Sequence, residues 1–181
     1  MDISYIPHYH YKRIEDITPE DIKSWGVKGI GIDIDNTICY DATVKFIGQS
    51  RKWVEDMKKA GVPIAIVSNA NYTRAKLIGR ILGLPYVGLA KKPLPEGYIK
   101  AAEILSLNVR DMAFIGDQIF SDVKGANDVS SVSVYVEPPA KEIVFFFFYR
   151  IRRLRERPYI AEMLRLEEKT GIQNKVRERE K

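Results

Sequence analysis

Two aspartates stand one residue apart at the end of an apolar run that begins at Gly29. Asp33 and Asp35 are separated only by Ile34. Because side chains alternate between the two faces of a strand, both carboxylates begin on the same face. Carboxylates this close are costly unless a cation or a shared proton accommodates them. The pair therefore indicates either a reactive centre or a solvated turn, since Asp and Asn also favour turns.

Polar side chains also follow three later apolar runs. They are Ser68, Asn69, Lys92, Asp117 and, five residues beyond Asp117, Asp122. Each of these segments alone fits an ordinary turn or helix cap. In a parallel sheet, however, ligands bind outside the carboxyl ends of the strands. We therefore expect the clusters to meet on one rim.

The order of apolar runs and amphipathic segments predicts an α/β fold with a central parallel sheet and helices on both faces. The predicted strands cover 28–34, 63–67, 86–89, 112–115 and 132–136. The predicted helices cover 50–60, 71–82, 95–105 and 121–127, after a short first helix that Thr18 caps and that stops at Gly26. We divide the chain into an N-terminal segment (1–27), a catalytic core (28–137) and a helical, basic tail (138–181).

Composition limits the remaining possibilities. The chain has 181 residues, which is enough for one domain with a full core, and its net charge is +5. A single cysteine excludes an internal disulfide, and residues 1–11 lack a signal pattern, so we expect a cytoplasmic location.

That cysteine, Cys39, is either a nucleophile or a small apolar filler, and we favour the filler because no histidine is near. His8 and His10 could bind a metal, but we favour surface packing.

The chemistry that fits these residues is phosphoryl transfer through an aspartate. Asp33 would attack phosphorus, and Asp35 would protonate the leaving alcohol and then deprotonate the attacking water. Lys92 would add a fixed positive charge. The expected phosphate contacts are Asn36, Thr37, Ser68, Asn69 and Lys92.

An oxygen-rich metal site is expected beside the nucleophile. Asp33, Asp117 and the backbone carbonyl of Asp35 would hold Mg2+, which prefers oxygen ligands. Asp122 would support the ion or its waters without binding it directly.

The four segments resemble, in order and type, the four motifs of the haloacid dehalogenase superfamily. They are Asp33–Thr37, Ser68–Asn69, Lys92–Pro93 and the segment 116–123. An aspartate two residues after the first is the phosphatase form of the first motif. Segments 16–20 and 125–127 further resemble the YqeG-type branch, subfamily IIIA, which is related to phosphatidylglycerophosphate phosphatases. The resemblance implies a Rossmann-like three-layer sandwich and an aspartyl-phosphate enzyme that uses Mg2+.

The spacing leaves no room for a cap domain, since a domain usually needs at least ~50 residues. A capless, open site suits a phosphorylated lipid head group or a macromolecule, unless a neighbouring subunit covers it. The run Ile143–Tyr149, which arginines follow, is too short to span a bilayer. It packs on the core, forms an oligomer interface or lies on an anionic membrane. We expect no nucleic acid partner, and we expect 167–181 to fray.

We therefore predict a Mg2+-dependent phosphomonoester hydrolase, with phosphatidylglycerophosphate as the substrate and a cytoplasmic or peripheral location on the inner face of the membrane. One alternative is a phosphatase of a small soluble metabolite. Another is a non-catalytic binding or assembly factor, which the intact set of Asp33, Asp35, Lys92 and Asp117 argues against.

Overall fold

A computed structural model describes residues 2–139 and 147–178 of the chain. Its centre is a sheet of six parallel strands in the order β1-β6-β5-β2-β3-β4. The strands are β1 (Tyr9–Tyr11), β2 (Gly29–Ile32), β3 (Ile64–Val67), β4 (Tyr86–Val87), β5 (Met112–Gly116) and β6 (Val132–Val136). The helices are α1 (Pro19–Ser24), α2 (Ser50–Lys59), α3 (Tyr72–Leu82), α4 (Pro95–Ile104), α5 (Lys124–Asp128) and α6 (Phe147–Thr170).

The predicted α/β fold with a parallel sheet is confirmed. All five predicted strands are present, although β2 ends at Ile32 rather than at residue 34. Thr18 caps α1 through a capping box with Asp21, as its position before Pro19 predicts. The predicted helix 121–127 is wrong in form, because a π-helical turn over Ile119–Val123 precedes the short α5.

Alternation along the strands divides the core between the two faces of the sheet. Ile30 and Ile32 pack on one face with Trp53 of α2, whereas Phe114 and its neighbours pack on the other. Gly31 faces Phe114 so closely that a Cβ at Gly31 would lie 2.3 Å from the ring. The strand that precedes Asp33 therefore carries glycine where the neighbouring strand sends an aromatic ring across it.

The N-terminal segment contributes an edge strand that the sequence did not predict. Within it, β1 pairs in parallel with β6, placing Tyr9 opposite Val134. The expected surface packing of His8 and His10 is wrong, because the two residues are only 4% and 6% exposed. The Nδ1 atom of His8 lies 2.9 Å from the hydroxyl of Ser133, so burial is matched by a polar partner.

The C-terminal helix α6 packs against the π-helical turn and the N-terminal segment. Met163 of α6 and Val176 beyond it are buried with Ile119 in a third apolar cluster. The expectation that 167–181 frays is wrong for 167–178, because Lys175 forms a β-bridge with Tyr9. The side chains of Ile143–Tyr149 lie outside the described residues. No helix in the described part of the chain is long and apolar enough to cross a membrane.

Candidate active site

The sheet brings the sequence-predicted polar residues to one edge. Asp33 follows β2, Ser68 follows β3, Lys92 lies in the loop after β4, and Asp117 follows β5. A cleft of about 330 Å³ opens there. Its lining includes predicted site residues together with Asp41, Asn71, Arg74, Gln118, Ser121 and Arg152.

Lys92 joins two buried carboxylates at the base of this edge. Its Nζ donates to Asp33 Oδ1 at 2.7 Å and to Asp122 Oδ1 at 2.5 Å. The three side chains are between 4% and 6% exposed. Burial alone lowers the pKa of Lys92, but the charges of Asp122 and Asp33 outweigh it and raise that pKa above its ordinary value. The ammonium is therefore held charged between the two carboxylates.

Asp122 reaches this position because the chain folds back tightly after Asp117. Its second oxygen, Oδ2, accepts from the backbone N–H of Gln118 at 3.0 Å. A Cβ at Gly116 would lie 2.2 Å from the carboxyl carbon of Asp122, so only glycine leaves room there. Burial raises the pKa of Asp122 to about 6, against the attraction of Lys92.

Asp117 is fully buried and is contacted by an arginine from α6. One guanidinium nitrogen of Arg153 pairs with Oδ2 of Asp117, and another donates to the backbone carbonyl of Asp117 at 2.6 Å. The other carboxylate oxygen, Oδ1, is buried without a hydrogen-bond partner among the described residues. Burial raises the pKa of Asp117 well above its ordinary value, although Arg153 opposes the shift.

These carboxylates fit a divalent cation. Asp33, Asp117 and Asp122 each offer an oxygen, and the three atoms lie within 4.8 Å of one another. Oxygen donors suit Mg2+ and similar hard cations, and the unpartnered Oδ1 of Asp117 leaves a buried lone pair for such an ion. For Asp35, we expect only the backbone carbonyl to bind the metal. Its carboxylate does not belong to the group of three.

The Asp35 carboxylate is held by the β2–α2 loop and by α3. Its Oδ1 accepts from the backbone N–H of Ala42 at 2.9 Å, and its Oδ2 pairs with Arg74. Asn71 caps α3 and so fixes the turn that presents Arg74. The sequence indicated only a polar helix face for Arg74, and nothing local links it to a carboxylate 39 positions earlier.

Of the predicted phosphate contacts, Ser68, Asn69 and Lys92 line the cleft, whereas Asn36 and Thr37 are buried outside its lining. Ser68 is 1% exposed, and its hydroxyl accepts from the backbone N–H of Ala70 at 3.2 Å. The side chain of Asn69 holds the loop of Lys92, accepting from Lys92 N at 2.7 Å and donating to Lys92 O at 3.1 Å. Oδ1 of Asn36 and Oγ1 of Thr37 are buried without partners in the described chain. The Asn36 amide oxygen can only accept a hydrogen bond, whereas the Thr37 hydroxyl can also donate one, so of these two atoms only the hydroxyl can donate to a phosphate oxygen.

Cys39 lies in the β2–α2 loop and is fully buried. Burial raises the pKa of its thiol to about 12, so the thiolate needed for nucleophilic attack is scarce at neutral pH. This agrees with the predicted filler role.

Comparisons with known proteins agree with this arrangement. Residues 40–129 match a haloacid dehalogenase-like hydrolase family model. Over 165 residues the chain is 35% identical to a curated protein named "Probable phosphatase YqeG" from Bacillus subtilis, covering 89% of this chain and 92% of that protein.

Two solved structures share the fold. One is the cobalt-bound deoxy-D-mannose-octulosonate 8-phosphate phosphatase YrbI from Haemophilus influenzae, with a TM-score of 0.50 and 15% identity over 63% of this chain and 70% of that one. The other is a predicted phosphoglycolate phosphatase from Haemophilus somnus, with a TM-score of 0.51 and 13% identity over 66% and 90% of the respective chains.

The parallel sheet and the carboxylate–lysine cluster at its edge define an enzyme of α/β fold with its active site at the carboxyl ends of the strands. More particularly, the chain belongs to the haloacid dehalogenase-like hydrolase family, and it is a phosphatase of that family. The predicted resemblance to the YqeG-type branch is confirmed by the similarity over most of both chains.

Proposed function

We propose that this phosphatase hydrolyses phosphomonoesters through an aspartyl-phosphate on Asp33. The observation that supports this is the buried Lys92, which bridges Asp33 and Asp122 at the edge of the cleft. The Asp33 carboxylate attacks phosphorus, the bond from phosphorus to the alcohol oxygen breaks, and Asp35 gives that oxygen a proton. Asp35 then takes a proton from water as the water attacks phosphorus, and the bond from phosphorus to Asp33 breaks.

In this proposal the metal is Mg2+, held by Asp33 and Asp117, with the Asp35 carbonyl as a further ligand and Asp122 in support. A bound divalent cation supplies positive charge where negative charge develops. Lys92 supplies a second, fixed positive charge. The remaining phosphate contacts come from Asn36, Thr37, Ser68 and Asn69.

The mechanism is tested by phosphate release from a generic phosphomonoester. Asp33→Asn should abolish turnover while the protein stays folded without urea, because Lys92 still pairs with Asp122, whereas the half-exposed Asp56→Asn control should retain full activity. Chelation should stop turnover, and Mg2+ should restore it better than Ca2+, because Mg2+ suits a compact oxygen site. Substantial turnover by Asp33→Asn, or turnover that survives a chelator, would contradict the proposal.

The substrate we propose is phosphatidylglycerophosphate. Support comes from the resemblance to the YqeG-type branch and from the cleft, whose lining offers three cationic side chains, Arg74, Lys92 and Arg152, beside three aspartates. The loop 33–49 and the segment 68–85 contain no separate cap domain, so a bulky head group can approach. Phosphate release from phosphatidylglycerophosphate in detergent micelles should exceed release from a panel of soluble phosphomonoesters. The reverse ranking would favour the small-metabolite alternative.

A lipid substrate implies contact with the cytoplasmic surface of a membrane. Arg155 and Arg157 of α6 are exposed and can meet anionic head groups. The protein should sediment with phosphatidylglycerol vesicles more than with phosphatidylcholine vesicles. Charge reversal at Arg155 and Arg157 should reduce this difference, while charge reversal at the exposed Lys52 and Lys59 of α2 should not. Equal sedimentation with both vesicles contradicts the membrane contact.

A further inference from the structure

The C-terminal helix α6 makes its most buried polar contacts at the edge of the sheet that carries the candidate active site. Arg153 contacts both the carboxylate and the backbone carbonyl of Asp117, and it also donates to Glu156 Oε2 at 3.0 Å. Asp117 and Glu156 are fully buried, and the Arg153 side chain is 19% exposed. A guanidinium thus lies between two buried carboxylates, Asp117 directly after β5 and Glu156 on α6.

Stability alone does not account for this arrangement. Burying charges costs several kcal/mol per ion, and apolar residues of similar size often stabilise a protein as well or better. The helix already has apolar anchors, since Tyr159 packs on Tyr5 and Phe120 with ring centroids 4.9 and 5.6 Å apart. The partly buried Arg153, paired with two fully buried carboxylates, therefore points to a role beyond docking the helix.

The two oxygens of Asp117 are used differently. Oδ2 pairs with Arg153, whereas Oδ1 is buried without a hydrogen-bond partner in the described chain. The fork of Arg153 holds Asp117 at two points, the carboxylate and the carbonyl, and so fixes the orientation of the side chain. Glu156 in turn fixes Arg153.

We propose that Arg153 is a positioning residue of the metal site, which it supports by holding Asp117 with Oδ1 available to the cation. The inference rests on the proposed function only in placing a divalent cation at Asp33 and Asp117. It makes α6 part of the active site, although α6 lies outside residues 40–129, the part that matches the family model. Groups that orient a metal ligand typically change metal affinity by about 10- to 100-fold when removed.

The test measures Mn2+ binding to the full-length protein by calorimetry and by the electron paramagnetic resonance signal of free Mn2+, without substrate. Arg153→Met should weaken binding about tenfold or more, and Arg153→Lys should recover part of the loss, because it restores the charge but not the fork. The matched control Arg155→Met removes an exposed arginine of the same helix and should bind Mn2+ like the parent.

A double-mutant cycle with Asp117→Asn separates positioning from a general structural effect. If Arg153 acts through Asp117, Arg153→Met should have little further effect on Mn2+ affinity once Asp117 is Asn. Full additivity of the two changes would overturn the proposal. Circular dichroism verifies the fold of each variant; if Arg153→Met fails to fold, Arg153→Met with Glu156→Met removes the unpaired buried carboxylate and is measured instead.

Two further outcomes would overturn the proposal. Folded Arg153→Met that binds Mn2+ within about twofold of the parent would show that Arg153 does not orient the ligand. Tighter binding would show that the guanidinium competes with the cation. Because the readout is binding, a failure of the proposed phosphatase chemistry is separate: it would appear as normal Mn2+ affinity without phosphate release.

Discussion

Replacing Lys92 by Met tests how much the buried ammonium stabilises the fold by compensating the charges of Asp33 and Asp122. The substitution keeps an unbranched apolar stem and removes the ammonium that lies 2.7 Å from Asp33 Oδ1 and 2.5 Å from Asp122 Oδ1. Both carboxylates would then be buried without their cation. Removing one partner of a buried ion pair costs about 3–5 kcal/mol, so we expect a loss of about 4 kcal/mol in the free energy of unfolding near pH 7.5, in EDTA.

The loss should depend on pH, with a sign that follows from Asp122. Burial raises the pKa of this carboxyl to about 6 even beside Lys92, and without the lysine it should rise further. A carboxyl whose pKa is higher in the folded state stabilises the fold at low pH, and this stability is lost as the pH rises through the folded-state pKa. Each unit of pKa shift corresponds to about 1.4 kcal/mol. The difference between variant and parent should therefore be small near pH 5 and grow above pH ~6.

Urea unfolding in EDTA near pH 5 and near pH 7.5 measures both effects. The exposed Lys100→Met serves as the control and should change the free energy of unfolding little. Adding Asp122→Asn to Lys92→Met should recover much of the loss, because one buried charge is removed. A loss below about 1 kcal/mol near pH 7.5, or an equal loss at both pH values, would refute the reasoning.

Three further predictions concern the surroundings of the cluster. Gly116→Ala should cost about 1–3 kcal/mol in urea unfolding and weaken Mn2+ binding, because its Cβ displaces Asp122; unchanged Mn2+ affinity would contradict this. Arg74→Met should lower kcat about 10- to 100-fold with a smaller change in KM, because Asp35 loses its fixed position; steady-state kinetics decides, and an unchanged kcat would be the contrary result. Met163→Ala should cost about 2–5 kcal/mol in urea unfolding, since this side chain of α6 is fully buried in the apolar cluster with Ile119; a cost below about 1 kcal/mol would show that α6 is loosely packed.

The sequence predicted the elements whose signals are local. Strands such as β3 and β5 are continuous apolar runs that end in polar residues, so both their position and the edge they share could be inferred. By contrast, β1 has three residues, and its partner β6 lies more than 100 residues away. Nothing in the Tyr-His-Tyr segment specifies that pairing. The same distance explains why His8 and His10 were expected at the surface.

The polar residues that gather at the strand ends were predicted more completely than the residues that hold them in place. Asp33, Lys92 and Asp117 could be found because each follows an apolar strand, and the carboxyl ends of parallel strands meet at one edge of the sheet. Arg74 and Arg153 come from helices, where a long basic side chain is indistinguishable in sequence from a solvated one. Their roles depend on how α3 and α6 pack on the sheet, and that packing is decided by contacts between distant residues.

The burial of Cys39 gives the protein a built-in probe of its own motions. It is the single cysteine of the chain, and it lies fully buried within the loop whose Ala42 N–H also binds Asp35. A thiol reagent can reach it only when this loop opens, so the labelling rate reports the free energy of local opening. A ligand that closes the cleft should slow the labelling, and the wild-type protein can thus be used to screen for substrates without any engineered label.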